Sequence, residues 1–224
     1  MATAYTTKSL FDLEQTAAAG LLEQFDYPWD ALPHIGAFIQ DLGSRLDTDA
    51  YDHPSEDVWI SKEATVFQSA YIAGPCIIMA HTEVRHCAFI RGNALVGEHC
   101  VVGNSTELKN VILFNHVQVP HYNYVGDSIL GYYAHLGAGS ITSNVKSDKS
   151  LVSISGVEPR LETNLKKMGA MVGDYVEVGC NSVLNPGTVL GRRTSVYPLS
   201  MVRGWIPADS IYKSGCGEVV QRSR

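Results

Sequence analysis

Apolar residues recur at every sixth position through the middle of the chain: Ile60, Val66, Ile72, Ile78, Val84, Ile90, Val96, Val102, Leu108 and Phe114. An α-helix repeats at 3.6 residues and a strand at 2, so neither has this period. Two places before each rung the side chain is nearly always small: Ala64, Ala70, Cys76, Thr82, Ala88, Ala94, Cys100 and Thr106. A second ladder, slipped by four in phase, runs Leu130, Leu136, Val172, Val178, Leu184, Leu190, Val196 and Val202. Its small partners are Ala134, Ala170, Ser182, Thr188, Thr194 and Ser200, with Val176 the exception. A hexad period predicts a parallel β-helix, whose coils bury together a column of aliphatic side chains that none could bury alone. Three faces of six residues make a coil of about eighteen, with neighbouring coils at strand spacing. The strict six-residue form goes with left-handed coils, against the usual crossover rule.

Outside the ladder the pattern changes to helical. Ser9 and Asp12 have the spacing of a capping box that opens a helix through Leu10, Leu13 and the Ala17–Ala19 run. A second stretch covers Leu21 to Phe25, and a third, His34 to Leu46, carries Ile35, Phe38, Ile39, Leu42 and Leu46 on one stripe. Such a segment is expected to cover the open end of the solenoid, where strand edges would otherwise be exposed. The ladder is also interrupted by a polar stretch from Ser143 to Lys167. The expected fold is therefore all-β: a left-handed parallel β-helix of hexapeptide repeats over 51–205 with an insertion at 143–167. An α-helical N-terminal cap takes 1–50 and a tail of paired short strands takes 206–224.

Composition narrows the function classes. A net charge of −6 gives no electrostatic reason to seek nucleic acid. No apolar run reaches the eighteen or more residues of a membrane span, and no secretory leader pattern opens the chain. Five scattered cysteines without a CxxC pair point to a reducing, cytoplasmic setting. Cys76 and Cys100 take small core positions of the ladder and are expected to be buried and inert.

The ladder also places chemistry. Arg91 and Lys109 are eighteen residues apart, each one place after a rung, so they stack in adjacent coils. Like charges so placed destabilise a sheet unless an anion joins them. That anion is either a bound phosphate or a neighbouring carboxylate, Glu107 or Asp127. At 115–129, where the phase slips, a loop is expected to leave the wall with His121 between Pro120 and Tyr122, followed by Asn123, Tyr124 and Asp127. A histidine there is suited to take a proton at neutral pH, or else is structural. The insertion should bring Asn144, Lys146 and Lys149 near that loop. His81/His86 and His116/His121 are pairs five apart, and His81 and His99 stack at eighteen. These are a candidate zinc set of the kind found in gamma-class carbonic anhydrases, which use the same coil.

The run P-H-Y-N-Y-V-G-D-S-I-L-G-Y-Y-A-H-L-G-A-G-S-I-T-S-N resembles the acetyltransferase domain of bifunctional N-acetylglucosamine-1-phosphate uridyltransferase/glucosamine-1-phosphate acetyltransferases. It is closer still to the matching domain of archaeal sugar-1-phosphate nucleotidylyltransferases. The likeness extends over residues 85 to 205. It implies acetyl transfer from acetyl-CoA to the 2-amino group of a hexosamine 1-phosphate, without a metal, in a homotrimer whose sites lie between subunits. Arg91 and Lys109 match the family's phosphate ligands, His121 its catalytic base, and Tyr124 and Asn144 residues around the sugar and acetyl group. Lys149 approximates a phosphate-binding lysine, and Ala138 falls where backbone meets the coenzyme. Among the departures, His135 replaces a substrate-contacting asparagine and Val145 a tyrosine. Cys180 and Pro198 replace a serine and an alanine at the coenzyme. The arginine that holds coenzyme phosphates finds only Gly215 or, with a shift, Lys213. No G-x-G-x-R loop of the nucleotide-transferring half is expected in the residues before the ladder. The departures keep open a non-catalytic scaffold that binds sugar phosphate without turnover.

Overall fold

The computed structural model describes residues 4–213 and 218–221. Short strands wind into a left-handed parallel β-helix with three walls. The register of one wall can be followed through its whole length: Trp59, Ile77, Leu95, Ile112, Ile129, Met171, Val189 and Trp205 stand side by side. The rungs Ile78, Val84, Ile90, Val96, Val102 and Leu108 point inward and are fully buried. Thr82, Cys100 and Thr106, the small partners, are buried beside them.

The phase slip has a physical origin that the hexad count alone misreads. Coils advance by eighteen residues from Ile77 to Leu95, then by seventeen to Ile112 and seventeen again to Ile129. Each shortening removes one residue from a corner. Three residues separate Ile90 from Ala94, but only two separate Leu108 from Val111, and Val125 from Ser128. Two lost residues are a shift of four in a period of six. The strands Glu107–Leu113 and Tyr124–Leu130 run unbroken through these tight corners. Asn110 (φ 54°) and Asp127 (φ 47°) take the left-handed conformation there, which Asn and Asp tolerate best among side-chain-bearing residues. The expected loop at 115–129 does not leave the wall: Gln118–His121 is a wall strand paired with Val101–Asn104. Nor is Phe114 a rung. Leu113 pairs with Val96 and Leu130 and takes that place, while Phe114 packs at the corner on Phe11, ring centroids 5.1 Å apart.

The N-terminal segment is helical, but it lies along a side wall and not over the open end. Helix Ile35–Gly43 rests on Cys76–Ile78, Ala94–Val96 and Glu107–Leu113, and the 3₁₀ turn Pro28–His34 rests on Tyr124–Leu130. At the far end Tyr5 meets Trp205 edge-on at 5.7 Å. The reason is a second apolar ladder, pointing outward: Ile77, Leu95, Ile112, Ile129, Met171 and Val189 are as buried as the inner rungs. Burying each is worth about 1.5–3 kcal/mol. By contrast Ile60, Val66 and Ile72 of the first coil stay half-buried. The Ser9–Asp12 capping box does not form. Ser9 lies inside Thr7–Leu10 and turns its hydroxyl back to Thr6 O (2.8 Å), while Asp12 accepts from Glu14 N to cap Leu13–Gln15.

The insertion leaves the coil after Ile141–Thr142 and returns at Ala170–Val172, a step of forty-two from Ile129 to Met171 that keeps the hexad phase. It forms an antiparallel hairpin, Ser153–Ile154 with Leu161–Glu162, anchored by fully buried Val152 and Ile154. Ser155 O accepts from Trp205 N (2.8 Å). Gly204, at φ +75°, makes room for this approach, since a Cβ there would lie 2.4 Å from Ser155 O. In the C-terminal tail Ser210–Lys213 pairs antiparallel with Glu218–Gln221.

Candidate functional site

Two edges of the coil carry the residues singled out from the sequence. The first is the corner that follows Gln118–His121. His121 pairs with Asn104 above it. Below, Gln118 pairs with His135, His135 with Glu177 and Glu177 with Ser195. Three places further along, the same register stacks His121, Ala138, Cys180 and Pro198 in successive coils. Backbone bonds tie the stack: Gly139 N donates to His121 O (3.0 Å), Asn181 N to Ala138 O (2.8 Å), and Leu199 N to Cys180 O (2.9 Å). The proposed base and three coenzyme positions therefore line one edge. His121 is exposed, and its ring makes no hydrogen bond with any described residue. Asn123 is buried beneath it, accepting from His121 N (3.1 Å) and donating to Gly137 O and Ser140 O. In the G-A-G turn Gly137 N and Gly139 N are already engaged, by Val178 O and His121 O. Among the described residues the Ala138 N–H is the one of the three left without a bond.

The second edge is the pair of shortened corners. Arg91 and Lys109 stand in adjacent coils as their spacing requires, since Arg91 N donates to Leu108 O. Each has its own carboxylate: Arg91 Nη1 lies 2.6 Å from Glu107 Oε1, and Lys109 Nζ lies 3.4 Å from Asp127 Oδ2. Of the two partners left open by the sequence, carboxylates hold the cations in this structure. The buried Asp127 also accepts from Asn110 (3.0 Å) and Asn144, and Asn144 donates to the Tyr124 hydroxyl (3.2 Å). Burial, and then the charges of Asp127 and Glu107, push the Tyr124 phenol above its ordinary pKa, which keeps it a protonated donor. Lys109, Tyr124 and Asn144 are thus one network tied by Asp127, and the Arg91–Glu107 pair stands beside it, Glu107 opposite Tyr124 in register.

Three expected residues bond with neither group. His135 stands on the wall that leads to the first edge, with Nδ1 2.7 Å from Glu177 Oε2. Lys149 is exposed in a turn of the insertion and makes no side-chain bond with the network. Lys213 pairs with Glu218 in the C-terminal hairpin, and Gly215 lies outside the described residues. The histidines proposed for zinc are scattered. His121 is on the first edge, His86 lies against Ser69 Oγ (3.2 Å), and His81, His99 and His116 stack with Tyr133 and Tyr175 ring on ring along a third corner, at centroid spacings of 4.6, 4.7, 4.4 and 5.7 Å. Stacked rings hold their nitrogen lone pairs in near-parallel planes and do not converge on one point. Among the described residues no group of three or more His, Cys, Asp or Glu is arranged to hold a metal ion.

Residues 72–208 match the family model described as the GMPPB C-terminal domain. The chain is 30% identical over 197 residues to the bifunctional protein GlmU of Methanococcus maripaludis strain C5, covering 87% of this chain and 48% of that protein. It is 29% identical over 176 residues to the bifunctional sugar-1-phosphate nucleotidylyltransferase/acetyltransferase of Sulfurisphaera tokodaii, covering 79% and 43% respectively. The chain spans about half the length of the curated relatives it matches. Among solved structures, a hexapeptide transferase family protein from Anaplasma phagocytophilum aligns over 75% of this chain and 80% of its own at 14% identity and TM-score 0.43. Given the hexad ladder, the coil it forms and a family match over most of that coil, this chain belongs to the GMPPB C-terminal domain family.

Proposed function

We propose that this chain is an acetyl-CoA-dependent N-acetyltransferase acting on the 2-amino group of a hexosamine 1-phosphate. The observation that carries the reading is the stack of His121, Ala138, Cys180 and Pro198 on one edge, one wall away from the cluster of Arg91, Lys109, Tyr124 and Asn144. The names of the relatives, which include a bifunctional sugar-1-phosphate nucleotidylyltransferase/acetyltransferase, support it. The coenzyme's pantetheine arm lies along the stack, with the thioester beside His121. The sugar phosphate is held by Arg91 and Lys109. The Arg91–Glu107 pair is half-exposed, and such pairs are worth only about 0–1 kcal/mol. A phosphate dianion, which binds a guanidinium through charge-assisted hydrogen bonds, displaces Glu107 at little cost.

His121 takes the proton that the attacking amine loses as the new C–N bond forms. The tetrahedral oxyanion is stabilised by the unengaged Ala138 N–H. As the C–S bond breaks, the leaving thiolate is protonated and departs as coenzyme A. Since the thioester is already activated, no metal takes part. The chain acts as a homotrimer in the cytoplasm. Exposed Tyr71, Tyr122, Leu199 and Met201 flank the wall between the two edges, an apolar surface of the kind a neighbouring subunit covers.

The deciding experiment is release of free thiol from acetyl-CoA with glucosamine 1-phosphate as acceptor. His121→Ala is expected to lower kcat by about 10²-fold or more while leaving the fold intact. If the native chain binds the sugar phosphate in an Arg91-dependent way yet releases no thiol with any hexosamine 1-phosphate, the enzyme reading fails and a binding scaffold takes its place.

A further inference from the structure

The edge that carries Arg91 and Lys109 continues down the coil. Lys109 pairs with Gly126, and the same register stacks Ser143, Asn185 and Arg203 below it. The insertion folds over this lower part and closes a concave pocket of about 290 Å³. Its lining includes Lys146, Arg160 and Arg203 against a single carboxylate, Asp148, with Asn185 and several serine hydroxyls between them. Three cations and one anion in one concavity are conspicuous in a chain whose net charge is −6.

The two guanidinium charges are not consumed by the fold. Arg160 Nε donates to Ser153 Oγ (2.7 Å), which fixes its guanidinium, but no described carboxylate pairs with it. Arg203 makes no hydrogen bond or ion pair with any described residue. Lys146 bonds to Ser150 Oγ (2.6 Å) and lies 3.9 Å from Asp148 Oδ2. Two guanidiniums free to donate in forked pairs, with hydroxyls around them, are the chemistry that recognises phosphoryl oxygens. The volume is at the lower limit of small-molecule sites, and the lining is mostly polar, which favours a compact hydrophilic ester.

We propose that this pocket is a second anion site, built by the insertion on the coil, that takes a phosphate ester of a small polar molecule. It is separate from the Arg91–Lys109 corner and stands whether or not the chain transfers acetyl groups. The two sites share a backbone segment. Asn144 bonds to Asp127 and Tyr124 at the upper corner, while Ser143, Val145 and Lys146 line the lower pocket. An anion on Lys146 therefore sits two residues from the upper network.

The test is calorimetric titration of the full chain at low ionic strength with inorganic phosphate, then glucose 1-phosphate, coenzyme A and dephospho-coenzyme A. Phosphate binding should survive Arg91→Gln/Lys109→Gln and weaken about tenfold or more in Arg160→Gln/Arg203→Gln. Arg203→Gln alone removes no contact that the described fold uses, so its weaker binding in a protein of unchanged melting temperature guards against misfolding. An effect of the Arg160/Arg203 pair on coenzyme A but not on dephospho-coenzyme A identifies the coenzyme's 3′-phosphate as the source. An effect on glucose 1-phosphate identifies a sugar phosphate. No saturable phosphate binding, or binding lost only in the Arg91/Lys109 variant, overturns the proposal.

Discussion

At the scale of single residues, the hexad lattice decides which groups are reactive and which are sealed. Cys76 and Cys100 fill small inward positions; burial pushes the Cys100 thiol up to about 12 and the Cys76 thiol further still, far from the thiolate. Cys87 and Cys180, outside the lattice's inner positions, are exposed. In a Cys216→Ser background, a disulfide reagent added to native protein is expected to label Cys87 and Cys180 rapidly, and Cys76 and Cys100 only after denaturation. Rapid native labelling of either buried thiol would contradict the lattice assignment. The inner positions were legible in the sequence because period and size both marked them. Glu107 is visible in the sequence only as a neutraliser of Arg91 and Lys109, and Asp127 also as part of the His121 stretch. The binding of Asp127 to Asn110 and Asn144 depends on two tight corners that no local pattern announces.

At the scale of elements, one buried carboxylate joins the helical segment to the coil. Asp174, 1% exposed, accepts from Asp12 N (2.7 Å) and Tyr132 N (2.9 Å) and pairs with Arg192 Nη2 (3.2 Å). Burial raises its pKa, against the opposing pull of Arg192 and the two backbone donors. Asp174→Ala leaves Arg192, whose Nε already lacks a partner among the described residues, without its anion. The expected cost is about 3 kcal/mol, read as a lower denaturant midpoint together with faster proteolysis within residues 5–50. Unchanged protease resistance there would show that the outward ladder alone holds the segment. That ladder was readable in principle, because Ile77, Leu95, Ile112 and Ile129 recur at seventeen or eighteen residues between paired inward residues. A count at six registers only the inner rungs, so the segment was expected on the open end.

At the scale of the whole molecule, the two edges of the candidate site are separated by a wall within one chain, and His135 and Lys213 are paired with Glu177 and Glu218 and bond with neither edge. A trimer offers these residues to a neighbour's site without any change in the chain's own fold. Sedimentation equilibrium at micromolar concentration is expected to give three times the chain mass of 24.4 kDa. Tyr122→Glu/Leu199→Glu should shift the protein toward single chains, with thiol release falling in parallel. A native protein that sediments as one chain and still turns over would rule out a shared site.

The sequence by itself determined the solenoid, its inward face and the stacking of Arg91 over Lys109. Each of these follows from a fixed period, and a period is a one-dimensional property. Tertiary structure decided where the helices lie, that the slip of four is two corners each one residue short, and that Glu107 and Asp127 hold the two cations. It also decided that the insertion closes a pocket around Arg160 and Arg203. These depend on which surfaces and charges meet from one coil to the next or across longer stretches of chain, and burial and charge pairing settle that only once the coil has formed.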